Sequence, residues 1–224
     1  MQAVPHTVKA FDDDLDRLRA LVCELGGRAE AAVADAVAAL VNADPGRGEA
    51  VLAGQERVEA LVARIERETV QMIALRSPLA DDLREVLAAF RIVTLIGRMA
   101  DNAANIARRA LSLGEFRAEQ MRTIAAMGEA VTAMVKAALD AYATRDPAAA
   151  ARVTAMDDTV DAFHCGLFTS LVQLMTRQPE TITAASHLLI VSQKLERVAD
   201  HATTIGSIVQ YVATGVAPGG EAKA

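Results

Sequence analysis

The feature that most constrains the fold is a set of landmarks, mostly helix boundary signals, that recur 99 to 102 residues along the chain. Proline fits the first turn of a helix, where its missing N–H is not needed, and a preceding Asp or Ser can cap the open amides. Glycine commonly follows the last turn. The recurring landmarks are Asp44-Pro45 with Asp146-Pro147, Ser77-Pro78 with Gln178-Pro179, Gly114 with Gly215, and Asp101 with Asp200. The chain is therefore predicted to contain two similar halves.

The segments between these landmarks carry apolar residues at the 3.6-residue spacing of amphipathic helices. This pattern predicts six helices, over 8–43, 46–75, 79–112, 116–144, 147–176 and 180–213. Because the turns between them are short, consecutive helices must run antiparallel. We therefore expect an all-α fold of two tandem, pseudo-symmetric three-helix bundles, 8–114 and 115–215, followed by a flexible tail, 216–224.

Composition excludes several classes of protein. Hydrophobic residues make up 52% of the chain and aromatic residues only 3%, which suits closely packed helices rich in Ala, Leu and Val. The net charge of −6, without basic clusters in the sequence, argues against a nucleic-acid-binding protein. The run 201–220 is too polar to span a bilayer, and residues 1–20 become acidic where a signal peptide needs an apolar core, so a cytoplasmic protein is expected. Cys23 and Cys165 have no metal-type spacing and are interpreted as buried thiols.

Two pairs of carboxylates are candidates for a functional site. Glu196 and Asp200 stand four residues apart in the sixth predicted helix, and Asp157 and Asp161 in the fifth. Residues at this spacing share one helix face with β-carbons about 5–6 Å apart, where like charges repel. Counted from the turn between the two helices, both pairs lie at the same level of the hairpin, so we expect them to meet.

A divalent or trivalent cation would relieve this repulsion, so metal binding is one hypothesis. The alternative is an ordinary solvated face, with Arg152 and Arg197 forming ion pairs to the carboxylates. His164 follows Asp161 by three residues and is either a further ligand or a histidine with a structural partner.

Two other functional classes are supported by fewer motifs in the sequence, or by less specific ones. A di-metal carboxylate oxidoreductase needs an acid-x-x-His motif on each of two helices, and only Asp161 with His164 provides one. A metal-free helical adaptor, whose acidic faces contact basic partners, stays open.

The motifs resemble the PhoU family of bacterial phosphate-signalling regulators. The similar segments are LERVADHATTIGSIVQYVATG near the end, RSPLADDLREVLAAFRIVTLIGRMADNAANIA in the first half, and AFDDDLDRLRALVCELGGRAEAAVADAVAALVNAD at the start, within about residues 8–215. The resemblance implies two three-helix bundles that bind multinuclear metal clusters, with iron, zinc or manganese as candidates and magnesium not excluded. It also implies a non-enzymatic negative regulator that connects the phosphate ABC transporter at the membrane to a sensor histidine kinase. A homodimer is compatible with the Ala-rich helix faces.

Carried over by position, the metal motifs of this family fall on four residues of the second half and two of the first. These residues are Asp157, Asp161, Glu196 and Asp200, and Glu59 and Asp101. The first half departs from the family pattern, because Gly97 stands in place of a Glu and Gln55 in place of an Asp. We therefore predict an asymmetric protein that binds metal more strongly in its C-terminal half, with an N-terminal site that is weakly occupied or empty.

Overall fold

The computed structural model describes residues 5–113 and 118–215. These two ranges contain six α-helices, one short 3₁₀ helix and no β-strand. The α-helices are α1 (Pro5–Val41), α2 (Pro45–Arg76), α3 (Asp81–Ser112), α4 (Ala118–Thr144), α5 (Pro147–Arg177) and α6 (Ile182–Thr214), and the 3₁₀ helix is Pro179–Thr181. The predicted all-α class is confirmed, and the predicted helix limits agree with the observed ones to within three residues.

Aspartate caps begin the second helix of each half. Asp44 accepts a hydrogen bond from the main-chain N–H of Arg47 at 3.0 Å. Asp146 accepts two, from Ala148 at 2.8 Å and from Ala149 at 3.0 Å. Both caps precede a proline in the first turn, so the repeat in the sequence is a repeat of helix starts.

The ends of the third helix in each half agree only in part with the sequence prediction. Ser77 does not cap α3; it ends α2 in the left-handed conformation, with φ of 46°. The residue before α3 is Ala80, which makes no side-chain capping hydrogen bond. Gly215 ends α6 in the left-handed conformation, as predicted for a C-terminal glycine. Gly114, its predicted counterpart, lies outside the described residues, as does the predicted division between the halves.

The packing of the helices explains how the halves are joined. Helices α1, α3, α6 and α4 contact one another in that order as a ring, with α4 closing against α1. Helix α2 packs on α1 and α3, and α5 packs on α4 and α6, so each half is a three-helix bundle. Apolar side chains from both halves fill one continuous core. The α3/α6 and α1/α4 contacts therefore lie on opposite sides of the ring.

Two further sequence expectations concern exposure. Within the part of the chain that is described, no helix is long and apolar enough to cross a membrane. Cys23 is half-buried, but Cys165 is exposed, so the interpretation of both as buried thiols was wrong. The interpretation of Cys165 relied on its apolar neighbours in the sequence. Adjacent residues point about 100° apart around a helix, so these neighbours can be buried while Cys165 is exposed.

Candidate functional site

The predicted acidic residues of α5 and α6 lie within electrostatic reach of one another. Asp157 is half-buried, and its pKa is raised first by burial and then by the charges of four other carboxylates. In order of their effect, these are Asp161, Asp200, Asp158 and Glu196. We call these five residues the α5/α6 acidic cluster. An opposite charge would lower the pKa, whereas neighbouring carboxylates raise it, so the cluster is an unneutralised patch of negative charge.

In the part of the chain that the structure describes, no basic side chain pairs with this cluster. Among the described residues, none of its five carboxylates forms an ion pair, and neither Arg152 nor Arg197 supplies the partner that the solvated-face alternative required. Carboxylate oxygens are the ligands that hard cations prefer, so the chemistry of the donor set fits a metal ion. However, no three His, Cys, Asp or Glu side chains in the described ranges are grouped so that they could hold one. Binding a cation would therefore require these side chains to move toward each other.

His164 lies beside the cluster but has a structural partner. Its Nδ1 is 2.8 Å from the hydroxyl oxygen of Ser192, a residue that is only 1% exposed. The same hydroxyl lies 3.6 Å from the sulfur of Met127. Of the two alternatives that the sequence left open for His164, the structurally satisfied histidine is the one observed. Asp161, its partner in the acid-x-x-His motif, is exposed and not in a dry pocket.

In the first half, an amide and an arginine replace the acidic cluster. Gln55 on α2 donates a hydrogen bond from Nε2 to Oδ1 of Asp101 on α3, at 3.2 Å. Arg108 donates from Nη2 to Oε1 of Gln55, at 3.3 Å. Asn105 uses its amide group to donate to the main-chain carbonyl of Asp101. A single carboxylate with an arginine nearby is a poor donor set for a cation, so this site does not fit a metal.

Glu59, the other candidate of the first half, is exposed. Within the described part of the chain its carboxylate forms no ion pair. Sequence reasoning missed Arg108 as a member of the first-half site. Its spacing of seven residues from Asp101, two turns along the same face, was the available signal.

The fold and the site together define a class: a tandem pair of three-helix bundles with a carboxylate-rich surface on the second half. A family model described as the PhoU domain matches residues 22–110 and 124–209. The chain belongs to the PhoU family. One matched range lies in each half of the chain, as expected from the repeated helix starts.

Similar proteins with names or structures agree with this assignment. The chain is 41% identical over 213 residues to the phosphate-specific transport system accessory protein PhoU homolog of Zymomonas mobilis, covering 95% of this chain and 90% of that protein. The crystal structure of PhoU from Pseudomonas aeruginosa matches with a TM-score of 0.88 and 33% identity, over 92% of this chain and all of that one. The phosphate transport system regulatory protein PhoU from Streptococcus pneumoniae gives a TM-score of 0.85 and 26% identity, over 92% and 97%.

Proposed function

We propose that this protein is a cytoplasmic accessory protein of a phosphate ABC transporter and a negative regulator of phosphate uptake. It connects the transporter to a sensor histidine kinase and acts at the membrane through these partners, without catalysing a reaction. The observation that carries the proposal is the alignment of nearly the whole chain with a relative named as a phosphate-specific transport system accessory protein. Within the described ranges, α2 and α5 each pack against only two other α-helices, and their exposed faces offer surfaces for such partners.

The metal-binding part of the proposal concerns the α5/α6 acidic cluster. Asp157, Asp161, Glu196 and Asp200 would hold the cation or cluster, and its positive charge would neutralise their mutual repulsion. Iron, zinc or manganese are the candidates. The raised pKa of Asp157 and the lack of ion pairs around it support this part of the proposal. Glu59 and Asp101, in the half whose donor set does not fit a metal, would bind metal weakly or not at all.

A second candidate function is a metal-free helical adaptor. It is favoured by the finding that no group of three potential ligands in the described ranges is arranged to hold a metal ion. In this case the acidic cluster would contact basic groups of a partner directly.

The regulatory role is tested by deleting the gene and measuring a phosphate-regulated reporter during growth with ample phosphate. We expect the reporter to become active in the deletion strain and to be silenced again by the wild-type gene on a plasmid. A reporter that stays silent in the deletion strain would contradict the regulatory assignment.

Metal binding is tested by mass spectrometry of protein purified without a metal-affinity tag. We expect stoichiometric metal in the wild type, a loss of about tenfold or more in Asp200→Asn, and little change in the matched first-half variant Asp101→Asn. Metal absent from the wild type would leave the adaptor as the better candidate. Equal losses in both variants would contradict the predicted asymmetry.

A further inference from the structure

The two halves meet along a line where α3 and α6 run antiparallel. Arg84 near the start of α3 lies over the ring of Tyr211 near the end of α6, with 5.7 Å between the guanidinium carbon and the ring centroid. About two turns further along α3 and one turn back along α6, Ile92 and Ile208 line the same small cavity. Continuing this register brings the second half of α3 beside the first half of α6.

Four cationic side chains lie along this part of the α3/α6 contact. Their positions are Arg98 and Arg109 on α3, and Lys194 and Arg197 on α6. We call them the basic seam. In the described ranges, none of the four forms an ion pair with a carboxylate.

The antiparallel register of α3 and α6 places these four residues along one stretch of the helix contact, and their electrostatic effects agree with it. The pKa of Lys194 is lowered by burial and then by the charges of Arg197 and Arg109. The Nε atom of Arg109 is buried without a hydrogen-bond partner, although its Nη1 donates to the main-chain carbonyl of Asn105 at 3.0 Å. The seam is therefore a row of like charges in a protein whose net charge is −6.

Acidic residues flank the seam and limit what can bind there. On the α2 side stand Glu59 and Asp101, and on the α5 side stands the α5/α6 acidic cluster. A wide anionic surface, such as a membrane or a nucleic-acid duplex, would bring negative charge onto these flanks and be repelled. Only a narrow anionic ligand that follows the seam avoids them.

The length of the seam argues against a single small anion. Arg98 and Arg109 are eleven residues apart, which is about 16 Å along the helix axis. One phosphate ion would contact only one end of the seam. A row of carboxylates on an extended or helical peptide matches both its length and its width.

We propose that the basic seam is the docking site for a short acidic segment of a partner protein. This inference gives the chemistry of one partner surface and does not depend on metal binding. It rests on the proposed regulatory function only for the biological identity of the partner.

The test uses the purified full-length protein and a fluorescent Glu-rich peptide of about 12 residues, which spans about 18 Å as a helix. Binding is followed by fluorescence anisotropy at low and at near-physiological salt, with a peptide in which Gln replaces every Glu as the control ligand. The variants are Arg98→Gln, Arg197→Gln and the double variant. The matched control is Arg122→Gln on α4, an exposed arginine on a helix that does not contact α3.

We expect the acidic peptide to bind the wild type, more weakly as salt rises, and the Gln peptide not to bind. Each single variant should weaken binding about threefold and the double variant about tenfold, as expected for exposed charge pairs, while Arg122→Gln should bind like the wild type. Arg98 and Arg197 are exposed, so the variants should fold, which circular dichroism checks.

Three outcomes would overturn the proposal. The first is no binding of the acidic peptide to the wild type at low salt, or equal binding by the double variant. The second is that inorganic phosphate alone binds at the seam and is lost in the double variant while the peptide is not bound. The third is capture of the wild type, but not the double variant, by anionic lipid vesicles without peptide binding. None of these depends on the reporter measurement, so the regulatory role and the docking site can fail separately.

Discussion

The two halves of the molecule repeat the same helices but not the same charges. In the second half, five carboxylates gather between α5 and α6 and raise the pKa of Asp157. At the matching place in the first half, Asp101 accepts a hydrogen bond from Gln55, which in turn accepts one from Arg108. In the first half a guanidinium group is thus linked to the carboxylate through Gln55, whereas in the described part of the second half the five carboxylates form no ion pair. The arrangement of helices is therefore repeated between the two halves, whereas the surface charge is not.

The crossing of α5 with α6 and that of α2 with α3 also differ in their packing. In the second half, Gly206 on α6 faces the main-chain carbonyl of Ala150 on α5, and a β-carbon at Gly206 would lie 2.9 Å from that oxygen. In the first half the glycine is on the other helix. A β-carbon at Gly48 on α2 would lie 3.3 Å from the side chain of Leu111 and 3.7 Å from the carbonyl of Ala107 on α3. The second-half crossing is therefore tighter and is closed by main chain.

The largest expected difference between the halves is at this crossing. Gly206→Ala should lower the free energy of unfolding by about 1–3 kcal/mol, because the carbonyl oxygen that a methyl group meets belongs to a helix and cannot move away. Gly48→Ala should change it by no more than about 0.5 kcal/mol, because Leu111 is 40% exposed and can turn aside, and alanine is the better helix former. Urea denaturation of both variants measures these changes in the free energy of unfolding.

The control for these two variants is Gly27→Ala on α1, where a new β-carbon meets no atom within 4 Å. This variant should be neutral or slightly more stable, because only helix propensity changes. If Gly206→Ala were as mild as Gly48→Ala, the two crossings would be equally tolerant and the contrast in packing would be wrong.

The next largest difference concerns the aspartate caps. Asp146→Ala removes two hydrogen bonds to helix amides and should cost about 1–2 kcal/mol, whereas Asp44→Ala removes one and should cost about 0.5–1 kcal/mol. Thermal and urea denaturation compare the two variants directly. The matched controls are Asp146→Asn and Asp44→Asn, which keep a side-chain oxygen and should lose less stability. A greater loss for Asp44→Ala than for Asp146→Ala would refute the ranking of the caps.

Local signals made much of the fold predictable. A proline with a preceding aspartate fixes a helix start through contacts within four residues, so the starts of α2 and α5 follow from the sequence alone. The meeting of the acidic pairs was also predictable, because an antiparallel hairpin places residues at equal distances from its turn side by side. Ser77 shows the limit of such signals, since a serine before proline can end one helix as well as begin the next.

Contacts between residues far apart in the sequence could not be predicted in this way. The Gln55 to Asp101 hydrogen bond depends on how α2 and α3 rotate about their axes, which the apolar period fixes only coarsely. The basic seam was missed for a stronger reason. Arg98 and Lys194 belong to different halves, and no local pattern tells which helix of one half will pack on which helix of the other.

The smallest expected effect concerns the difference in charge between the α5/α6 acidic cluster and the matching place in the first half. The pKa of Asp157 lies above its ordinary value of 3.8, so the folded protein holds this proton more tightly than the unfolded chain does. The carboxyl group therefore favours folding when protonated, and this contribution is lost as the pH rises through the raised pKa. In metal-free protein at neutral pH, Asp157→Asn should raise the free energy of unfolding by about 0.5 kcal/mol, a modest gain because water screens a half-exposed charge. The gain should vanish below the unfolded pKa, where the wild-type carboxyl is also neutral.

The matched first-half variant is Asp101→Asn, which removes no repulsion and weakens the hydrogen bond from Gln55. We expect it to be neutral or to lose up to about 0.5 kcal/mol at neutral pH. Urea denaturation of the chelator-treated proteins at neutral and at acidic pH separates the two cases. Adding manganese at neutral pH should then reverse the order, because the wild type gains a ligand that Asp157→Asn has lost part of its ability to bind. Equal stabilisation of Asp157→Asn and Asp101→Asn without metal would mean that the two halves carry the same electrostatic strain. In that case the open negative charge of the α5/α6 acidic cluster would no longer distinguish it as a ligand site.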